Sequence, residues 1–326
     1  MNTAVNGSSC SISLNPPTAE KIGKTFAYCM IVVVSLVGNS FIGTIVYKTQ
    51  TLRKPINYFI VNMAMSDLLY PIFLILPTLT LLHVKSWLIS GPLGQALCKL
   101  VSFLPGVPII VSSQSLVLIA VDRFGAVVFP LRFPLISSKL CPFFILATWI
   151  IAMAFCSPNL FAFKLGEYDD GKLFCVMQWN EAFGVSSSYV SYILAFFVVF
   201  LYVPLALLII LYSVIIIKLK TQRIPGKQSA NAEQQRAKRN RNVLKMAIAI
   251  VLGFVLCNVP YSIINLLLFY AQDLPCSISL YGSITRLMAF SNCAINPCIC
   301  FTFSANYRQG LKRLLKCFNT VQPAIE

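Results

Sequence analysis

Four charged side chains stand within or at the ends of long apolar stretches: Asp67, Asp122, Arg123 and Arg286. Asp122 and Arg123 are neighbours. An adjacent acid and base can be an ordinary interfacial ion pair, or a lock that opens when another group competes for the guanidinium. Asp67 has no such neighbour. A lone carboxylate in apolar surroundings must be hydrogen-bonded, protonated or paired with a cation. Arg286 presents a planar fork of donors suited to a carboxylate or an acidic side chain. It is also suited to an internal partner such as Asp273 or Glu181, or to snorkelling towards water. His83 is the single histidine, and no cluster of ligating side chains accompanies it in the sequence. With neither a nucleophile and its base nor a set of metal ligands, an enzyme is not indicated.

The elements that position these residues follow from composition. Hydrophobic residues make up 57% of the 326-residue chain and charged residues only 11%, against about 45–50% hydrophobic in soluble domains. So few charges cannot cover a water-soluble surface. The net charge of +16 does not signal nucleic-acid binding, because the bases sit between apolar runs and not on one folded face. Crossing a bilayer core takes about 20 apolar residues of helix. Seven runs meet that: 26–47, 57–84, 100–121, 140–163, 182–217, 246–272 and 278–303. The fifth is too long for one span, so part of it must be loop or helix beyond the bilayer. Lipid offers the backbone no partners, so each run must be a helix; the alternation of a barrel strand is missing. The expected fold is an all-α integral membrane bundle of seven transmembrane helices.

Lysine and arginine orient it. With the amino end outside, the cytoplasmic segments hold nineteen bases and the outer segments six, which satisfies the positive-inside rule. The expected organisation is an extracellular N-terminus (1–25), a seven-helix domain (26–303), and a cytoplasmic amphipathic helix and tail (304–326). The first apolar run is expected to serve as an uncleaved anchor. The basic stretch 223–241 is expected to be a flexible cytoplasmic loop. Residues 304–316 alternate bases with apolar residues and suit a helix lying on anionic lipid; Cys317 after them is a palmitoylation candidate or a plain thiol. Asn6-Gly7-Ser8 is a glycosylation sequon on the outer side. Cys10, Cys98, Cys175 and Cys276 also fall outside, where disulfides persist. A transporter or channel would need a train of ionisable groups or inverted repeats, and neither is present in the sequence.

The polar residues within the spans resemble, in order, the motifs of rhodopsin-like (class A) G-protein-coupled receptors. Gly38-Asn39 matches helix one; Asn62, Ala64 and Asp67 match helix two; Cys98 and Asp122-Arg123-Phe124 match helix three, with Ala126, Pro130 and Leu131 following. Trp149 matches helix four, Pro204 and Tyr212 helix five, Phe254, Cys257 and Pro260 helix six, and Asn292, Asn296 and Pro297 helix seven. The likeness runs from about Phe26 to Cys317. It implies a receptor that couples an extracellular ligand to heterotrimeric G proteins by outward movement of helix six, with arrestin as a further partner, in the plasma membrane. Asp122 would hold Arg123 until helix six moves, with Tyr212 as partner of the released guanidinium. Prolines 260 and 297 kink their helices and would serve as pivots. Asp67, Ser112, Asn292 and Asn296, with Asn39 nearby, would form a sodium pocket; a protonated Asp67 in a hydrogen-bonded network is the alternative. The resemblance also implies a Cys98–Cys175 disulfide, with Cys10 and Cys276 left as candidates for a second.

The chain departs from the family at three places. Phe124 replaces the usual Tyr, Asn258 the usual helix-six Trp, and Cys300 the usual helix-seven Tyr. A thiol is a weak donor, so Tyr212 can lack its partner. Pro105 stands where amine receptors carry Asp, which argues against an aminergic ligand. Phe290 stands where opsins carry the retinal Lys, which excludes a Schiff base. Arg286 precedes Pro297 by 11 residues, about 16 Å towards the outer face, where the family's pocket lies. Tyr261, Asn258, Gln114 and His83 are further lining candidates. A peptide is the expected ligand; a small acidic molecule, or constitutive activity without a ligand, is the alternative.

Overall fold

The computed structural model describes residues 17–129, 135–167, 171–221, 230–270 and 277–321. Seven long helices follow one another: α1 (Thr18–Lys48), α2 (Pro55–Val84), α3 (Gly91–Val128), α4 (Cys141–Ala162), α5 (Tyr189–Thr221), α6 (Ala230–Tyr270) and α7 (Ser277–Phe303). The first six are long and apolar enough to cross a bilayer, and α7 becomes the seventh when taken with the helix that follows it. That helix, α8 (Ala305–Val321), leaves α7 at a 98° bend. The bilayer core is about 30 Å thick, so 27 residues of α7 suffice to cross it.

Several boundaries have local causes. Helix α1 starts after Pro17, ahead of the apolar run, and Glu20 and Lys24 pair at 2.6 Å on its added turns. Pro55 opens α2 at the first helical position, where its missing N–H costs nothing. The long fifth run divides. Trp179–Phe183 forms one helical turn, Gly184 takes φ 81°, and the side chain of Ser188 accepts from the Ser191 N–H to start α5. Only glycine adopts that φ without strain. The basic stretch after 223 departs from the expected loop, since residues 230–241 extend α6 to 41 residues. Ala, Glu, Gln, Lys and Arg dominate it, and all are good helix formers.

The segment between α4 and α5 holds a hairpin that the apolar pattern did not announce. Strands β1 (Phe163–Glu167) and β2 (Leu173–Met177) pair antiparallel, with Leu165 opposite Cys175. Trp87 N–H donates to the Leu173 carbonyl at 2.7 Å, and Leu165 N–H to Gln95 Oε1 at 2.8 Å. The Cys98–Cys175 disulfide ties the hairpin to α3.

Inside the bundle, Ile42, Ile45, Phe59, Ile110, Leu116 and Ile119 are fully buried. Phe143, Leu146 and Ile150 on α4 and Ile209 and Ile217 on α5 are exposed, which water would penalise and lipid does not. Helices α1 and α7 approach closely at Gly38, where an added Cβ would lie 2.7 Å from the Pro297 ring.

Candidate functional site

The ends of α2, α3 and α6 nearest α8, with the α7–α8 junction, enclose a cleft of about 260 Å³. Its walls include Lys54, Asn57, Arg123, Val243, Met246 and Asn306. Arg123 is partly exposed to it and donates from both Nε and Nη2 to Asp122 Oδ2, the Nε bond at 3.0 Å. Asp122 is 7% exposed. Tyr212 on α5 feels the Arg123 charge, yet its buried hydroxyl has no hydrogen-bond partner among the described residues. Phe124 turns its ring edge-on to Phe129, with centroids 6.0 Å apart. The guanidinium is thus held by its neighbouring acid while the tyrosine hydroxyl stands unused.

A polar column fills the middle of the bundle. Asp67 is fully buried, and Asn296 Nδ2 donates to its Oδ2 at 2.8 Å. Ser35 Oγ donates to the Asp67 carbonyl at 3.3 Å, and Asn39 Nδ2 reaches the Cys293 carbonyl at 2.8 Å. Asn258 Nδ2 donates to the Phe254 carbonyl and to Asn292 Oδ1, at 2.9 and 3.3 Å. Around Asp67, the buried oxygens Asp67 Oδ1, Asn39 Oδ1 and Ser112 Oγ have no hydrogen-bond partner among the described residues. An oxygen set with one carboxylate suits a small hard cation. No group of three ligating His, Cys, Asp or Glu side chains occurs among the described residues, so a soft or tightly held metal has no such site there.

Asn62 makes a second knot. Its amide donates to Ser115 Oγ at 3.0 Å and Thr148 Oγ1 at 3.1 Å, while Trp149 Nε1 donates to its oxygen at 2.8 Å. One side chain thereby joins α2, α3 and α4.

No hydrogen bond or ion pair joins any two of the five ligand-pocket candidates among the described residues. Asn258 lies in the buried column. His83 bonds Thr25 Oγ1 on α1 at 2.9 Å. Gln114 buries its amide nitrogen without a partner among those residues. Tyr261 accepts from Asn265 Nδ2 through its carbonyl, at 2.7 Å. Arg286 is exposed, near Tyr28, and forms no ion pair among the described residues. Glu181, one of its two envisaged partners, is instead paired with Lys164. Asp273, the other, lies outside the described residues, as do Asn6, Cys10 and Cys276; Cys317 falls on α8, its side chain outside them.

Sequence reasoning passed over Asn57 and Tyr307. Tyr307 on α8 is 1% exposed and donates to Asn57 Oδ1 at 3.1 Å; Asn57 Nδ2 in turn donates to the Leu52 carbonyl at 2.7 Å. The available signal was an aromatic residue with a hydroxyl among the apolar positions of an otherwise basic helix.

Comparison with known proteins adds to this geometry. The profile of the seven-transmembrane receptor (rhodopsin family) matches residues 38–299. The RYamide receptor of Drosophila melanogaster is 30% identical over 297 residues, covering 88% of this chain and 62% of that receptor. The chain therefore spans less than two thirds of that relative's length. The substance-K receptor of Homo sapiens is 28% identical over 302 residues, covering 92% of this chain and 74% of the receptor. The QRFP-like peptide receptor of Branchiostoma floridae is 29% identical over 316 residues, covering 94% and 81%.

Proposed function

Because the chain belongs to the rhodopsin family of seven-transmembrane receptors, we propose that it binds an extracellular peptide and promotes nucleotide exchange on heterotrimeric G proteins. One observation carries the coupling half of this reading: Arg123 lines a cytoplasmic cleft while held by Asp122. Ligand binding favours a state in which α6 pivots at Pro260, the cleft widens, and Arg123 leaves Asp122 for the unused hydroxyl of Tyr212 and the incoming G-protein tail. A ligand shifts such an equilibrium only by its differential affinity for the two states. Asn296 and Pro297 place the α7 side of the switch beside Asp67. Arrestin would dock on the same cytoplasmic face.

The peptide half draws on relatives named as receptors for RYamide, substance K and a QRFP-like peptide. Arg286, exposed and without an ion pair among the described residues, supports an acidic group on the ligand. It equally favours the second reading, a small acidic molecule. Asp67, Ser112, Asn292 and Asn296 would hold sodium, which would supply a countercharge for Asp67 and stabilise the resting arrangement. The receptor is placed in the plasma membrane with its amino end outside, where Asn6 is available for glycosylation. The basic face of α8 meets anionic lipid, with Cys317 as its acylation site.

The test is nucleotide exchange on a panel of purified G proteins, by the receptor in lipid nanodiscs, with a peptide library against a library of small acids. Exchange evoked by a peptide pool and lost in Arg123→Ala supports the reading. Exchange evoked only by small acids favours the second ligand class, and unchanged exchange in Arg123→Ala overturns the coupling mechanism.

A further inference from the structure

Helix α8 is more than an anchor resting on the membrane surface. Tyr307 buries its ring edge-on against Phe301 at the base of α7, with centroids 6.4 Å apart, and its hydroxyl donates to Asn57 on α2. Burial pushes the phenol well above its ordinary titration range, so it remains a donor. Three residues on, Gly310 lets α8 lie against Ile45 of α1, where a Cβ would come within 2.5 Å of that side chain. The helix is thus seated against α1, α2 and α7 together. The bond also has a position in the switch. Asn57, Ser304 and Asn306 all line the cytoplasmic cleft, and Cys300, one helical turn above the bend, is fully buried and carries no hydroxyl.

We infer, on the footing that this cleft is the G-protein face, that the Tyr307–Asn57 hydrogen bond is a resting-state latch. It supplies from α8 the hydroxyl that position 300 lacks and holds the α7–α8 junction to α2 until the cleft opens. Tyr307 is a positioning residue: it acts through Asn57 and the cleft wall without touching the G protein. The bond is present where Arg123 is still held by Asp122, so its loss releases the closed arrangement. One buried neutral hydrogen bond has a modest net effect, and the expected result is a rise of about fivefold in ligand-free exchange, within the usual range for a single such bond.

The experiment uses the full chain in nanodiscs without ligand. It compares wild type, Tyr307→Phe, Asn57→Ala and the double variant. Two quantities are measured per folded receptor: basal nucleotide exchange on the G-protein panel, and affinity for synthetic peptides from the carboxyl termini of the α-subunits. Thermal unfolding measures stability separately. A rise in both quantities for each single variant, with no further rise in the double, supports the latch. A fall in melting temperature without a rise in exchange marks a purely structural bond and overturns it. Additive rises in the double variant overturn it too, because the two residues would then act independently. Wild-type receptor that neither exchanges nucleotide nor binds any tail peptide overturns the reading of the cleft itself, and the latch with it. Active wild type with an unaltered Tyr307→Phe overturns the latch alone.

Discussion

Replacing Asp122 with asparagine isolates the charge in the lock. The side chain keeps its shape and one acceptor oxygen, but Arg123 loses an ionised partner. In the structure both Nε and Nη2 of Arg123 point at the single oxygen Oδ2. The pair is little exposed, with side-chain accessibilities of 18% and 7%, so solvent screening discounts it only modestly. Hydrogen bonds to charged groups contribute roughly 1.5–3 kcal/mol and neutral ones roughly 0.5–1.5. Two donors share one oxygen, so their contributions do not add. The difference for the pair is therefore about 1.5 kcal/mol, which corresponds to about a tenfold shift in the resting-to-active ratio. Asp122→Asn receptor in nanodiscs should show basal nucleotide exchange raised by about that factor, and Arg123→Ala on the same background should abolish the gain. Unchanged basal exchange at equal folded receptor would refute the lock, since it would mean that the ion pair is equally strong in both states.

Asp67→Asn removes the single carboxylate of the buried column. Wild type should melt at a higher temperature in sodium chloride than in an equal concentration of potassium chloride, and the variant should lose that difference; equal melting of the wild type in both salts would argue for a protonated Asp67. Gly38→Ala puts a methyl 2.7 Å from the Pro297 ring, and overpacking of this kind typically costs about 1–3 kcal/mol; thermal unfolding should show the loss, while Gly43→Ala, whose Cβ would meet nothing within 4 Å, serves as the silent control. Trp149→Phe removes the donor to Asn62 Oδ1, and an orphaned buried acceptor costs about 1–3 kcal/mol. Asn62→Ala on top of it should cost less than the two separate losses combined, which a double-mutant cycle on melting would detect.

What could be read from the chain was what a bilayer enforces. Lipid demands long apolar helices, so their number and order followed from hydropathy alone. Polar residues are costly there, so Asp67, Asn62 and the Asp122-Arg123 pair stood out before any partner was known. Illegible features depended on water-facing chemistry or on which helix faces which. The hairpin of β1 and β2 lies outside the bilayer, where five-residue strands leave little periodic signal. The helical extension of α6 before its apolar run looked like loop because its charge masked good helix-forming composition.

The two departures in α6 and α7 show the same division at the level of single residues. Asn258 in place of tryptophan read as a candidate lining residue of a ligand pocket, because its type was visible and its neighbour was not. The fold gives it Asn292 across the α6–α7 contact, which turns an aromatic position into part of the polar column. Cys300 in place of tyrosine likewise read as a lost hydroxyl. Seven residues later in the chain, and across the 98° bend, Tyr307 brings a hydroxyl back to Asn57. A substitution inside a membrane bundle therefore has to be judged by the polar partners left around it, because lipid supplies none and the bundle itself must provide them.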